Sequence, residues 1–95
     1  MIEQEIMSDV ADIYGITVSD ILSRRRLRRF ADARAVICYL LCFTQGYSTT
    51  EAGRVLGRDH SSVVYFNKKT LDWLRTPFLN KRGACAIKEL EKRYG

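Results

Sequence analysis

The stretch Ser48-Thr49-Thr50-Glu51-Ala52-Gly53-Arg54-Val55-Leu56-Gly57-Arg58-Asp59-His60-Ser61-Ser62-Val63 decides the fold. Ser48 and Glu51 have the spacing of a capping box. In that arrangement the Glu51 backbone N–H donates to the Ser48 hydroxyl and the Ser48 N–H donates to the Glu51 carboxylate. A short helix therefore begins at about Thr49, and Leu56-Gly57 stops it. Asp59 suits the N-cap of a second helix, where its charge also meets the positive end of the helix dipole. That helix is expected to run to about Arg75, burying Val63, Val64, Phe66, Leu71 and Leu74, and to close before Pro77. A short helix, a tight turn and a longer helix over residues 49–75 make a helix-turn-helix.

Working outward, the rest of the chain is helical too. Ile2, Ile6, Val10 and Ile13 recur at spacings of four, four and three, with acids on the other face and Gly15 placed to end the helix. Ser19 to Ser23 is long enough for about one turn. Arg24, Arg25, Arg26, Arg28 and Arg29 follow, and residues 24–29 are expected to form a basic loop, because clustered positive charges repel within a helix. A third helix is expected from Asp32 to Gln45, carrying Val36, Ile37, Leu40, Leu41 and Phe43 and ending at Gly46. Asn80 can cap a last helix from Lys81 to Arg93, with Ala84, Ile87, Leu90 and Tyr94 at near-helical spacing. No strand-like alternation, repeat or low-complexity tract interrupts this pattern. The expected class is all-α, a single small helical domain over residues 1–95.

Composition agrees with one small domain: 46% hydrophobic residues suffice for a core, and 28% charged residues argue against a fibrous or disordered chain. The formal charge of +5 is unevenly spread. Residues 1–23 carry five acids and no Lys or Arg, whereas residues 24–69 carry ten Lys or Arg against three acids. The surplus is a localised basic site, which invites a polyanion. Three cysteines, Cys38, Cys42 and Cys85, cannot all pair within the chain, and no charged leader precedes an apolar stretch, so a reducing cytoplasm is expected. No apolar run reaches the roughly 18 residues of a membrane span.

The second helix of the motif leaves a polar side unburied. Ser61, Ser62, Tyr65 and Lys69 fall three or four residues apart, with Arg58, Asp59 and His60 at the N-terminal tip. A helix entering the major groove presents its N-terminal residues to base edges. Asp59 can accept from a cytosine amino group, and His60 can pack on a thymine methyl or bond to a base. Ser61 and Ser62 can donate to bases or phosphates, while Tyr65 and Lys69 suit the backbone. The same residues also admit plainer readings: Asp59 as an N-cap alone, and His60 and the serines as a solvated helix start. The arginine run is either a solvated charge cluster or an arm that lays an Arg into the adjacent minor groove.

Gly57-Arg58-Asp59-His60-Ser61-Ser62-Val63 resembles the G-R-D-H-[ST]-[ST]-V signature of the C-terminal DNA-binding domain of the bacterial replication initiator DnaA. The likeness extends to Val10-Ala11-Asp12-Ile13-Tyr14, to Val18-Ser19-Asp20-Ile21-Leu22-Ser23-Arg24-Arg25-Arg26 and to Ala33-Arg34, with order and spacing agreeing from about Ile2 to Leu74. The resemblance implies a Trp-repressor-like fold and binding of double-stranded DNA at the short sites called DnaA boxes, linked to replication initiation or its regulation. It assigns base contacts to Asp59, His60 and Ser61 in the major groove and to Arg26 in the minor groove. Backbone or supporting contacts are expected from Arg24, Arg25, Arg28, Arg34, Arg58, Ser62, Tyr65 and Lys69, and from Ser48, Thr49 and Thr50 at the opening of the motif. The chain departs from the pattern in having Leu56-Gly57 where two glycines are usual, which shortens the turn by one residue. Thr49-Thr50 stands where Leu-Pro is frequent, and Cys42 replaces a basic residue.

The family's phosphate-binding G-x-x-x-x-G-K-[ST] loop does not occur in these 95 residues, so no nucleotide site is expected in this chain. The expectation is either an excised domain or a free-standing relative with its own Met1, as in a phage or mobile element, acting as a transcriptional regulator. Rival functions are less favoured. Asp59, His60 and Ser61 have the residue types of a nucleophilic triad, but neighbours on one helical turn diverge and cannot form one, so no enzyme is expected. Cys38, Cys42, Cys85 and His60 are the candidate metal ligands, yet buried thiols on an apolar helix face need no metal. No metal or cofactor is expected. A protein-interaction module would use the acidic first helix or an exposed patch of Trp73, Phe78 and Leu79, which are instead expected in the seam between the last helices.

Overall fold

A computed structural model describes residues 1–95 and contains helices and turns only. Helix α1 (Ile2–Tyr14) buries Ile6, Met7, Val10, Ala11 and Tyr14 on one face. It ends where Gly15 takes a left-handed φ of 65°, which lets the Ile16 amide donate back to the Ala11 carbonyl. Helix α2 (Val18–Leu22) is short but doubly capped: Thr17 Oγ1 accepts from the Asp20 amide at 3.0 Å and Asp20 Oδ2 accepts from the Thr17 amide at 3.1 Å.

Helix α3 (Arg28–Tyr39) is the centre of the domain, with every residue from Asp32 to Leu41 buried and α1, α2, α5 and α6 packed around it. It starts four residues earlier than expected, so Arg28 and Arg29 are helical and the basic loop is confined to residues 23–27. Phe30 accounts for the difference. Its ring is buried, and the Arg25 and Arg29 guanidinium groups each lie 5.6 Å from its centroid. Cation–π contact and solvation of the exposed arginines offset a charge repulsion that is weak in water.

The far end of α3 widens into a π-helical turn, Leu40–Thr44, instead of continuing as α-helix. The Thr44 hydroxyl donates to the Leu40 carbonyl at 2.6 Å, and the Gln45 amide closes on the same oxygen at 3.2 Å. Leu40 and Leu41 stay buried, but Phe43, expected in the core, turns outward and is 53% exposed beside Tyr39.

Helices α4 (Thr49–Leu56) and α5 (His60–Arg75) follow with both expected caps in place: Ser48 with Glu51, and Asp59 on the Ser62 amide. The three-residue turn between them depends on two glycines. Gly57 has φ 68°, and a Cβ on Gly53 would lie 2.5 Å from the Arg58 carbonyl oxygen. Expectations for the buried face of α5 need correction. Val63 is buried and Phe66 and Leu74 are half-buried, but Val64 and Leu71 are exposed, and Asn67, Thr70 and Trp73 are buried instead. Thr70 can occupy the core because its hydroxyl donates to the Asn67 carbonyl at 2.9 Å.

A 3-10 turn, Pro77–Leu79, leads into α6 (Lys81–Tyr94). Asn80 Oδ1 accepts from the Gly83 amide, and its Nδ2 donates to Asp32 on α3. Trp73 packs in the seam against Gly83, where an added Cβ would come within 2.6 Å of the indole. Phe78 and Leu79 do not join it: a single turn beginning at Pro77 carries them to the surface, 77% and 56% exposed.

Candidate nucleic-acid interface

Chain topology brings the basic loop against the helix-turn-helix. The loop begins at Ser23, the residue that ends α2; its amide and hydroxyl donate to the Asp20 carbonyl, but the Ile21 and Ser23 carbonyls have no backbone donor at the end of so short a helix. Arginines supply the donors. The Arg34 side chain, reaching from inside α3, donates from Nε to the Ile21 carbonyl at 2.7 Å and from NH2 to the Ser23 and Asp20 carbonyls at 2.8 and 3.3 Å. Arg58, in the turn between α4 and α5, donates from NH1 to the Leu56 carbonyl at 2.8 Å and from NH2 to the Ser23 carbonyl at 2.7 Å. Burial holds both guanidinium groups below the usual arginine range, and Arg58 lowers Arg34 further while Arg24 lowers Arg58. Positive charge is thus concentrated where α2, α3 and the turn meet.

Two groups of residues project from this junction. One is the tip of α5, where Asp59, His60 and Ser61 are exposed and Ser62 is half-buried, its amide held by Asp59 Oδ1 at 3.1 Å. Asp59 acts as the N-cap, and that role leaves its second carboxylate oxygen available. Further along the same helix Tyr65 is 59% exposed, and the Lys69 ammonium lies 5.4 Å from its ring centroid and 5.8 Å from that of Trp73. The other group is the loop itself, with Arg24, Arg25 and Arg26 exposed, continued by exposed Arg28 and Arg29 in the first turn of α3.

The remaining candidates are less free. Ser48 spends its hydroxyl on the α4 cap, Thr49 is half-buried, and Thr50 is exposed. Arg34 is 3% exposed and bonded within the chain through Nε and NH2, so it supports the loop rather than reaching outward. Four contributors were not anticipated from the sequence: the Thr17–Asp20 cap, the Ser23 carbonyl, the Phe30 ring and the Gly53 close approach. Thr17-x-x-Asp20 carries the spacing of a capping box and was readable in principle. A backbone oxygen shared by side chains 11 and 35 residues away leaves no local trace.

Elsewhere, Cys38 is buried, Cys42 half-buried and Cys85 exposed, and burial pushes the Cys38 thiol up. No three or more His, Cys, Asp or Glu residues are placed to share a metal ion. No helix is long and apolar enough to cross a membrane.

A family model described as the bacterial dnaA protein helix-turn-helix matches residues 3–69. Over 67 residues the chain is 40% identical to the chromosomal replication initiator protein DnaA of Ruegeria pomeroyi, covering 70% of this chain and 14% of that protein. Over 93 residues it is 34% identical to the protein of the same name from Wolbachia pipientis wMel, covering 96% of this chain and 19% of the relative. The corresponding protein of Chloroflexus aggregans is 32% identical over 87 residues, 90% of this chain and 18% of the relative. The chain therefore spans only a small part of the length of the relatives it matches.

Proposed function

The chain belongs to the family of the bacterial DnaA helix-turn-helix, and from that premise we propose that it binds duplex DNA sequence-specifically at sites of the DnaA-box type. Family membership implies DNA binding related to replication initiation; the choice of sequence is the finer inference. The observation that carries it is the pairing of two exposed groups at one junction: the α5 tip (Asp59, His60, Ser61) and the arginine loop (Arg24–Arg26).

In this reading the α5 N-terminus enters the major groove. Asp59 accepts from an exocyclic amine, and His60 and Ser61 meet neighbouring base edges. Arg26 reaches the adjacent minor groove, where a narrow A·T stretch concentrates negative potential. Arg24, Arg25, Arg28, Ser62, Tyr65, Lys69 and Thr50 line the phosphate path, and Arg34, Arg58, Ser48 and Thr49 support those that make contact. The role is recognition without chemistry by this segment, in initiation of replication or its regulation.

Binding of the chain to a short duplex containing a DnaA box, compared with a scrambled duplex across a salt series, tests this. Affinity is expected to fall steeply with salt for both while a preference for the box persists. Equal binding to both duplexes defeats sequence-specific recognition. Absence of binding at low salt favours a protein-interaction module, for which the exposed Phe78 and Leu79 are one apolar surface.

A further inference from the structure

We propose that Arg58 is a positioning residue: it sets where the Arg24–Arg26 loop stands relative to the recognition helix α5, and so couples minor-groove to major-groove contact. The proposal rests on the DNA-binding reading above and deepens it.

One planar guanidinium links directly two elements, the end of α2 and the turn after α4, that are otherwise joined only by way of α3 and its Arg34. Its NH1 donates to the carbonyl of Leu56, the last residue of α4, and its NH2 to that of Ser23, which ends α2. Both acceptors are backbone oxygens, so what is fixed is the path of the chain itself. Only residues 24–27 separate Ser23 from the first residue of α3, which is anchored by the buried Phe30. Four residues span at most about 14 Å, so fixing both ends restricts the arm severely. Arg26 lies three residues from the clamped carbonyl. The same turn that Arg58 occupies also launches α5, because Asp59 is its N-cap. A displacement of the loop and a displacement of the recognition tip are thus tied through one side chain. Lysine cannot replace it: a point donor keeps the charge but cannot span two carbonyls in fixed geometry.

The test compares wild type, Arg58→Lys, Arg26→Ala and the double variant on box duplexes with A·T-rich or G·C-rich flanks, together with NMR order parameters of residues 23–27 in the free protein. Arg26→Ala is expected to abolish flank preference. Arg58→Lys, although still positively charged, is expected to lose most of it, on the order of five- to tenfold. The double variant should then match Arg26→Ala alone. Loop order parameters should fall in Arg58→Lys while those of α5 hold; if the Lys variant does not fold, Arg58→Gln, whose single donor nitrogen cannot reach both carbonyls, takes its place. Retained flank preference with an unchanged loop overturns the proposal, as do additive effects of the two substitutions, which mark Arg58 as an independent phosphate contact. If Arg26→Ala leaves flank preference intact, the minor-groove reading fails separately, and the loop order parameters alone decide whether Arg58 positions the arm.

Discussion

Arg34, from α3, and Arg58, from the turn between α4 and α5, donate to the same oxygen, the Ser23 carbonyl, at 2.8 and 2.7 Å. No carboxylate lies among their hydrogen-bond partners, so two like charges are held together by backbone acceptors alone. Arg34 contributes more to the fold, because it is buried and also satisfies Ile21 and Asp20. Arg34→Met keeps most of the packing volume but leaves the buried Ile21 carbonyl without a donor and the Ser23 carbonyl with Arg58 alone. Its expected cost is about 2–4 kcal/mol, since bonds from charged donors and orphaned acceptors each weigh more than ordinary hydrogen bonds. Denaturant unfolding measures this, and a loss below about 0.5 kcal/mol would show that water replaces the guanidinium freely.

Asp59 has two proposed roles that substitutions separate. Asp59→Asn retains a side-chain oxygen for the Ser62 amide and should unfold within a few tenths of a kcal/mol of wild type, whereas Asp59→Ala should cost about 1 kcal/mol as a lost N-cap. Both remove the carboxylate from the DNA and should reduce box discrimination by about 1–3 kcal/mol. If Asp59→Asn discriminates as wild type does, Asp59 is a cap only.

The helix-turn-helix was legible because its signals are local: Ser48 with Glu51, Asp59 with the amide three residues on, and Gly57 between them are all read within a dozen positions. The exposed tip of α5 followed from the same pattern. Misreadings arose where a longer-range partner overrode local chemistry. Arg28 and Arg29 looked like loop because like charges repel, but Phe30 buries itself beneath Arg25 and Arg29 and starts the helix early. Val64 and Leu71 looked like core by hydrophobicity, but Asn67 and Thr70 sit on the buried stripe, and the apolar pair lies off that stripe. Arg34 and Arg58 were expected as backbone or supporting contacts, but that they converge on Ser23 could not be read, since their shared acceptor is a main-chain oxygen that no residue type encodes.

Gly53 is required by proximity rather than by its φ. A methyl group there would stand 2.5 Å from the Arg58 carbonyl oxygen, so α4 and the turn must separate to admit it. Gly53→Ala is expected to destabilise by about 1–3 kcal/mol despite alanine's better helix propensity. Because the displaced group is the backbone of the clamping residue, box preference should fall along with stability. A melting temperature at or above wild type would show that the turn yields at no cost.

Stability should fall at alkaline pH through tyrosines that tie α6 to the rest of the domain. Tyr39 donates to Glu91 at 2.7 Å and Tyr94 donates to Asp9, and both phenols are pushed up to about 12, chiefly by burial and then by these carboxylate partners. A pKa raised on folding means that the folded state holds the proton more tightly than the unfolded chain, whose phenols titrate near 10. The contribution is therefore complete below about pH 10 and is lost as pH rises through about 12. Thermal unfolding followed from pH 8 to 12 should show a flat midpoint and then a steep fall, with Tyr39→Phe making the fall shallower. An equally steep fall in that variant would place the alkaline sensitivity elsewhere.

His60 and Lys69 sit on the same helix yet should fail in different ways. His60 is exposed at the tip, the position proposed to meet a base edge, whereas Lys69 is held more than two turns away over the Tyr65 and Trp73 rings, the position proposed to meet a phosphate. His60→Ala is expected to lower affinity for the box by about 1–3 kcal/mol and to leave binding to scrambled duplex almost unchanged, with the same salt slope. Lys69→Ala is expected to weaken every duplex alike and to reduce the magnitude of the salt slope by about 1, because one fewer phosphate is neutralised. Isothermal titration or anisotropy at several salt concentrations separates the two patterns. If His60→Ala instead reduced box and scrambled binding equally, the α5 tip would lie along the backbone, and the major-groove assignment would fall with it.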